Sequence, residues 1–127
     1  MTGSQEVEIR WADLDGFGHV SHRAYVDFLE EARNAVLDDL IGAEHRRTFA
    51  LRALQIDYLA QLTQRDDRVR VTIRIATVDG DAVTTEEEVA GVGHGEVAAR
   101  AQGTLRSASP AAIDALRRRV EAPAQQG

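Results

Sequence analysis

Two carboxylates and two glycines fall within six residues, in the segment Asp13–Gly18 (DLDGFG), directly ahead of a predicted helix. A carboxylate can act as a general base or as a nucleophile. The first amides of a helix are unsatisfied donors at the positive end of its dipole, so they can hold a developing negative charge. This turn is therefore a candidate site for chemistry, although a turn Asp often only bonds its own backbone.

A long helix is predicted to follow the turn. Ser21 or His22 is expected near its N-cap, and Gly42 is placed to end it. From Ser21 to Leu40 such a helix is about 30 Å long. Glu30 and Arg33 are spaced as an intrahelical ion pair. The apolar positions recur at helical spacing and are Tyr25, Phe28, Leu29, Ala32, Ala35, Val36 and Leu40.

Alternating apolar and polar residues predict five strands. The first carries Val7, Ile9 and Trp11 on its buried face, and the others lie within 50–62 and at 69–75, 83–92 and 97–105. The segment 43–48 is a polar connector, and the glycines near 80 and 91–95 mark hairpins, so the sheet is expected to be antiparallel. Pro110 opens a last helix over Ala111–Val120. One sheet curled around the long helix, an α+β arrangement, follows from this order.

Length and composition favour a single soluble domain. The chain has 127 residues, a net charge of −6 and no cysteine, which disfavours nucleic acid, anionic membranes and a thiol nucleophile. No apolar run suggests a membrane span and Met1–Gln5 does not resemble a signal peptide, so we expect a cytoplasmic protein. His45 and His94 lie in polar loops and are expected to be solvated, and residues 122–127 to form a frayed tail. The uncovered edges of the sheet predict a homo-oligomer, either a dimer or a tetramer.

The layout and the segment Trp11–Arg33 resemble the hotdog-fold thioesterases of the 4-hydroxybenzoyl-CoA thioesterase/acyl-CoA thioesterase group. The matching residues are DLDGFGHV at 13–20, His22, Tyr25 and the segment Glu30-Glu31-Ala32-Arg33. The resemblance implies an α+β hotdog fold, one antiparallel β-sheet wrapped around a long central α-helix, as a single domain over residues 1–127. It also implies hydrolysis of an acyl or aryl CoA thioester to a free acid and a thiol, with no metal and no cofactor.

The same resemblance implies roles for individual residues. It puts the catalytic carboxylate, as nucleophile or general base, on Asp15. Tyr25 falls where relatives line the acyl pocket. The thioester carbonyl would be held by the turn and the first helix amides, around Gly18, His19, Val20, His22 and Arg23. A thiolate has a pKa near ~8.5 and leaves with little protonation, so one carboxylate can suffice.

Several of these residues also have structural interpretations. Asp13 is expected to bond turn amides, and His19 to hold the turn by packing and hydrogen bonds. For His22, capping the helix is as good an interpretation as a side-chain role.

One departure from the family concerns the carrier. Some relatives place cationic residues in the hairpin that meets the CoA phosphates, whereas here Val78–Ala82 (VDGDA) is acidic. Other arginines could replace them, namely Arg46 and Arg47, Arg65 and Arg68, Arg100, and Arg117–Arg119. An acyl-carrier-protein thioester is therefore an alternative substrate, and a non-catalytic acyl-CoA-binding protein is a second alternative. Hotdog dehydratases use Pro-containing motifs, and the prolines here, at 110 and 123, do not match them.

Overall fold

A computed structural model describes residues 1–122 of the chain. The strands are β1 (Thr2–Glu8), β2 (Phe49–Tyr58), β3 (Arg68–Asp79), β4 (Ala82–Gly91) and β5 (Val97–Ser107), and the helices are α1 (His22–Arg46) and α2 (Pro110–Glu121). Residues 123–127, which hold most of the predicted tail, lie outside the described residues. Within the described part, no helix is long and apolar enough to cross a membrane.

The sheet confirms the predicted architecture. All neighbouring strands pair antiparallel in the order β1-β3-β4-β5-β2, so β1 and β2 are its edges. Helix α1 lies against one face, where the alternating residues of β3 and the apolar stripe of α1 are buried. The opposite face carries ion pairs such as Arg74–Glu86 and Arg100–Glu88. The fold is a hotdog, with one long helix wrapped by a five-stranded sheet.

Helix α1 begins where predicted but continues beyond its predicted end. Ser21 is the N-cap, and Gly42 breaks the helix with φ 84° and ψ 157°, a backbone conformation that favours glycine. The chain then resumes helical geometry to Arg46, so the predicted polar connector at 43–48 is mostly helical. An ion pair spans the break, since Arg46 Nε donates to Asp38 Oδ1 at 2.8 Å.

The first strand is shorter than predicted, since β1 ends at Glu8 and Trp11 opens a short 3₁₀ turn. Trp11 is 81% exposed, so its assignment to the buried face was wrong. Asp13 causes the turn, because its Oδ2 accepts a hydrogen bond from the Arg10 amide at 2.8 Å and curls the chain back. Ile9 remains buried, and its amide donates to the Asp67 carbonyl.

The predicted Glu30–Arg33 ion pair is wrong. Arg33 faces the sheet and makes two hydrogen bonds to Glu87 of β4, of 2.9 Å from Nε and 2.7 Å from Nη2. Both side chains are at most 4% exposed. Thr85 adds a hydroxyl donor to Glu87 at 2.7 Å. A Cβ at position 103 of β5 would come 2.7 Å from the Thr85 hydroxyl, so Gly103 makes room for the group.

Candidate active site

The turn ahead of α1 is fixed by backbone hydrogen bonds on both of its sides. The Asp15 amide donates to the His19 carbonyl at 2.7 Å and closes the turn on itself. Val20 donates to the Leu62 carbonyl at 2.8 Å, and His19 pairs with Thr63, so the segment after β2 supports the turn. Gly18 has φ 82°, which strongly favours glycine at this position. The turn is therefore a preformed loop.

The Asp15 carboxylate is held by one oxygen only. Its Oδ1 accepts hydrogen bonds from the amides of Phe17 (2.8 Å) and His19 (3.0 Å), while Oδ2 makes none within residues 1–122. The Phe17 amide has the largest effect on the pKa of Asp15 and lowers it; partial desolvation opposes this, and His19 and His22 lower it further. The group is thus ionised at neutral pH, with one oxygen anchored and the other available to a substrate.

The start of α1 provides two unoccupied amides beside this turn. Ser21 N–H donates to the Asp13 carbonyl, Val20 N–H to Leu62, and His19 N–H to Asp15. The amides of His22 and Arg23 have no partner within the described residues, and the Ser21 side chain does not cap the helix. Of the amides in the predicted donor stretch 18–23, these two are the ones without a partner within residues 1–122.

Aromatic rings border the start of the helix. His22 stacks on Tyr58 with centroids 4.6 Å apart and planes at 23°. Tyr25 meets Tyr58 edge-to-face at 5.2 Å and is itself buried. Burial, with a smaller contribution from Tyr58, raises the pKa of Tyr25 to about 12, so its phenol stays protonated. The sequence analysis did not place Tyr58 at the site. Tyr58 lies 36 residues after His22 in the chain, and only the tertiary fold brings the two rings together.

Asp13 has a structural environment. It is buried and accepts hydrogen bonds from the Arg10 amide and, at 3.3 and 3.2 Å, from the Arg10 guanidinium. Both of its oxygens are occupied, which distinguishes it from Asp15. The expectation that Asp13 bonds amides of the turn matches this geometry at Arg10.

His94 is not simply solvated, contrary to the prediction. Its Nε2 lies 2.7 Å from Asp66 Oδ1, and its Nδ1 accepts the Glu96 amide at 3.0 Å. Asp66 Oδ2 in turn accepts the Thr63 amide at 2.7 Å. Thr63 is the residue that pairs with His19, so the hairpin between β4 and β5 is tied to the segment that supports the Asp15 turn. No local sequence signal marks a contact between residues so far apart.

The arginines proposed for phosphate contact differ in their surroundings. Most are paired, namely Arg46 with Asp38, Arg68 with Glu6, Arg100 with Glu88, Arg117 with Asp114 and Glu121, and Arg119 with the Leu40 carbonyl. Within the described part of the chain, Arg47, Arg65 and Arg118 have no side-chain partner. Residues 1–122 also contain no group of three or more His, Asp or Glu side chains placed to hold a metal ion.

The chain matches one family model and is similar to solved structures of thioesterases. A family model described as the thioesterase-like superfamily matches residues 9–123. A thioesterase from Thermus thermophilus, solved with coenzyme A and zinc, is 25% identical with a TM-score of 0.79, over 95% of this chain and 96% of that one. A 1,4-dihydroxy-2-naphthoyl-CoA thioesterase from Synechocystis is 22% identical with a TM-score of 0.73, over 91% and 96% of the two chains. No curated protein matches the chain.

A third solved structure is similar in fold at lower identity. It is a 4-hydroxybenzoyl-CoA thioesterase carrying an Asp-to-Asn substitution, in complex with 4-hydroxybenzoyl-CoA. It is 12% identical to this chain with a TM-score of 0.78, over 91% of this chain and 98% of that one.

Proposed function

This chain belongs to the thioesterase-like superfamily and is in general terms a thioester hydrolase, and we propose that it cleaves acyl- or aryl-CoA thioesters with the Asp15 carboxylate. The observation that carries the proposal is the asymmetry of Asp15. One oxygen is anchored by two amides and the other makes no hydrogen bond within residues 1–122, and the amides of His22 and Arg23, seven and eight residues further along the chain, have no partner there either. His22 also contributes to lowering the pKa of Asp15, so the carboxylate lies within electrostatic range of the first residue of α1. A nucleophile or base and a candidate oxyanion site therefore belong to the same turn.

The proposed reaction places the thioester carbonyl oxygen on the His22 and Arg23 amides. Either Asp15 Oδ2 or a water molecule that it deprotonates attacks the carbonyl carbon, and the negative charge builds on the carbonyl oxygen. The amides stabilise that charge, and removing one such donor typically costs about 3–4 kcal/mol. The tetrahedral species then expels the thiolate. In the nucleophilic route, water hydrolyses the resulting anhydride and restores Asp15.

The lowered pKa of Asp15 bears on which route operates. A carboxylate well ionised at neutral pH is a weak proton acceptor, since a general base works best with a pKa near the operating pH. It is nevertheless fully available as a nucleophile. Rapid quenching followed by peptide mass spectrometry tests this directly, because acyl label on the Asp15 peptide supports the nucleophilic route.

The site lies beside an unpaired sheet edge, so we expect a homo-oligomer to complete it. Within residues 1–122, strand β2 has a neighbour only on its β5 side, and Leu51, Tyr58 and Leu59 along or just after it are 40–52% exposed. Tyr58 is also the ring that stacks on His22. A second copy pairing along β2 would cover these side chains and close the site.

A panel of acyl- and aryl-CoA substrates, followed with a thiol-detecting reagent, tests the proposed function. Release of free thiol by the wild-type protein, lost in Asp15→Asn, supports it. Binding of acyl-CoA without thiol release would instead indicate the non-catalytic alternative. A carrier-protein substrate is distinguished by competition, because pantetheine and CoA should then compete equally.

A further inference from the structure

A histidine–carboxylate pair that the proposed reaction does not use joins the β4–β5 hairpin to the segment after β2. Asp66 ends a short 3₁₀ turn at Gln64–Asp66, and His94 lies in the hairpin between β4 and β5. Asp66 Oδ1 lies 2.7 Å from His94 Nε2, while Asp66 Oδ2 accepts the Thr63 amide at 2.7 Å. Each oxygen of this carboxylate therefore has its own partner, one of them local and the other 28 residues away.

The hydrogen bonds of His94 imply one tautomer of its ring. Its Nδ1 accepts the Glu96 amide at 3.0 Å, so Nδ1 carries no proton. A neutral imidazole has one N–H, which is therefore on Nε2 and is donated to Asp66. A side chain at position 91 would collide with this ring, so Gly91 leaves the space that it needs. Because neither ring nitrogen is free to accept a proton from a substrate, the geometry suits the pair to holding the backbone in place.

The Leu62–Thr63 peptide unit carries this contact on to the Asp15 turn. Its N–H is the group that Asp66 Oδ2 binds, and its carbonyl accepts the Val20 amide at 2.8 Å. A peptide unit is planar, so a rotation that moves the N–H also moves the carbonyl. The orientation of the Asp66 carboxylate therefore affects where the Val20 amide is held.

Val20 lies in the chain between the candidate carboxylate and the candidate oxyanion amides. The neighbouring His19 amide anchors Asp15 Oδ1 at 3.0 Å, and the His19 carbonyl accepts the Asp15 amide at 2.7 Å. Two residues beyond Val20, α1 begins at His22, whose amide has no partner within residues 1–122. A shift at Val20 would therefore change how the carboxylate is placed relative to the start of the helix. A misplacement of about 1 Å can cost ~100-fold in rate.

The backbone next to Asp66 is strained and must be held by its surroundings. Asp67 has φ 61° and ψ −50°, and within residues 1–122 it is the one residue other than glycine with a positive φ. Such conformations persist where neighbouring contacts over-determine them. Here those contacts are the Asp67 carbonyl with the Ile9 amide at 2.7 Å, and Asp66 with Thr63 and His94. Loss of the His94 contact should therefore let this segment relax to another position.

We infer that Asp66 and His94 are positioning residues for the proposed reaction, because together they fix the Leu62–Thr63 peptide and hold the Asp15 turn in place relative to the start of α1. The inference rests on the proposed function. If the pair contributed to stability alone, its loss would lower Tm and leave kcat unchanged.

Four variants test the inference, namely His94→Ala, Asp66→Ala, the double variant and His94→Gln. The matched control is Arg106→Ala, since Arg106 pairs with Asp81 in the β3–β4 hairpin, at the opposite end of β4 from His94. On a thioester that the wild type hydrolyses, kcat should fall about tenfold in both alanine variants, with KM unchanged. The double variant should be no slower than Asp66→Ala, because both residues act through one contact. His94→Gln keeps an N–H donor and should recover most of kcat, and Arg106→Ala should match the wild type.

Amide hydrogen exchange adds a measurement that does not depend on turnover. The Val20 and Asp15 amides should exchange about tenfold faster in His94→Ala and at the wild-type rate in Arg106→Ala. The inference is overturned, and the thioesterase proposal stands, if His94→Ala keeps the wild-type kcat, if KM changes in place of kcat, or if His94→Gln is as slow as His94→Ala. If the wild type hydrolyses no thioester, the thioesterase proposal fails and exchange alone decides whether the pair positions the turn: faster exchange in His94→Ala supports it, and unchanged exchange overturns it.

Discussion

Exchange of each turn carboxylate for its amide should separate chemistry from structure. Asp15→Asn keeps the Oδ1 acceptor that Phe17 and His19 use, at 2.8 and 3.0 Å, so the turn should keep its shape. It removes the negative charge from the free oxygen, and with it both nucleophile and base. We therefore expect kcat to fall at least ~100-fold, the low end of general-base contributions, with little change in KM.

The matched control is Asp13→Asn, which should act on stability. Asp13 is buried and Arg10 is about half exposed, so the charge-assisted hydrogen bonds between them are screened on one side. We expect a loss of about 1 kcal/mol, below the usual range for hydrogen bonds to charged groups. For a chain of this length that corresponds to a fall in Tm of roughly 3–5 °C. Its kcat should stay within a few-fold of wild type.

Thiol release under saturating acyl-CoA, with thermal unfolding of the same preparations, measures both effects. Because native interactions lower the pKa of Asp15, its ionised form is favoured by folding, and activity should persist until the pH falls below 3.8 if the fold survives. The reasoning is refuted if Asp15→Asn keeps more than a tenth of the wild-type kcat while Asp13→Asn is inactive. Loss of activity in neither variant would exclude a carboxylate mechanism in this turn.

Three further predictions concern stability and assembly. Arg33→Met should destabilise the protein by about 3–5 kcal/mol by leaving Glu87 buried and unpaired, and adding Glu87→Met should recover most of the loss in urea unfolding; a double variant no more stable than the single one would contradict this. Burial raises the pKa of Asp66, but hydrogen bonds from the Thr63 amide and His94 outweigh burial, so the native pKa lies below the ordinary value of 3.8. The stability that this carboxylate contributes is therefore present above pH 3.8 and is lost as the pH falls through the lowered native pKa. His94→Asn should therefore flatten the acid limb of a plot of Tm against pH, and an unchanged limb would show that the pair does not couple to folding. Light scattering should find a dimer or tetramer at micromolar concentration, with activity falling on dilution, whereas a fully active monomer would rule out a shared site.

The sequence was informative where the pattern is local. The alternation in β3 and β5 and the apolar stripe of α1 are periodic, so they predicted the sheet, the helix and their packing. The turn was predictable because two carboxylates and two glycines, Asp13, Asp15, Gly16 and Gly18, lie within six residues. Trp11 shows the limit of this approach, since a hydrogen bond from the Arg10 amide to Asp13 overrides the alternation that placed it on a buried face.

The remaining errors involve residues brought together only by the tertiary fold. Arg33 had a plausible local partner in Glu30, and the preference for Glu87 depends on which side of α1 faces β4. His94 reaches Asp66 because Gly91 leaves space beneath its ring, where a side chain would collide. Tyr58 joins His22 because the end of β2 returns to the start of α1. None of these contacts has a spacing that a linear pattern can reveal.

The buried pair of Arg33 and Glu87 also constrains how this chain can evolve. Losing either partner costs about 3–5 kcal/mol, a large share of the 5–15 kcal/mol that holds a typical domain folded. A lineage that changes one position first must pass through a protein near its stability threshold. Thr85 donates a hydrogen bond to Glu87, and Gly103 leaves the space that the Thr85 hydroxyl occupies. Both residues therefore restrict the side chains that could replace the pair. We therefore expect descendants of this sequence to keep the pair together or to lose it together, and substitutions elsewhere that add stability to precede its loss.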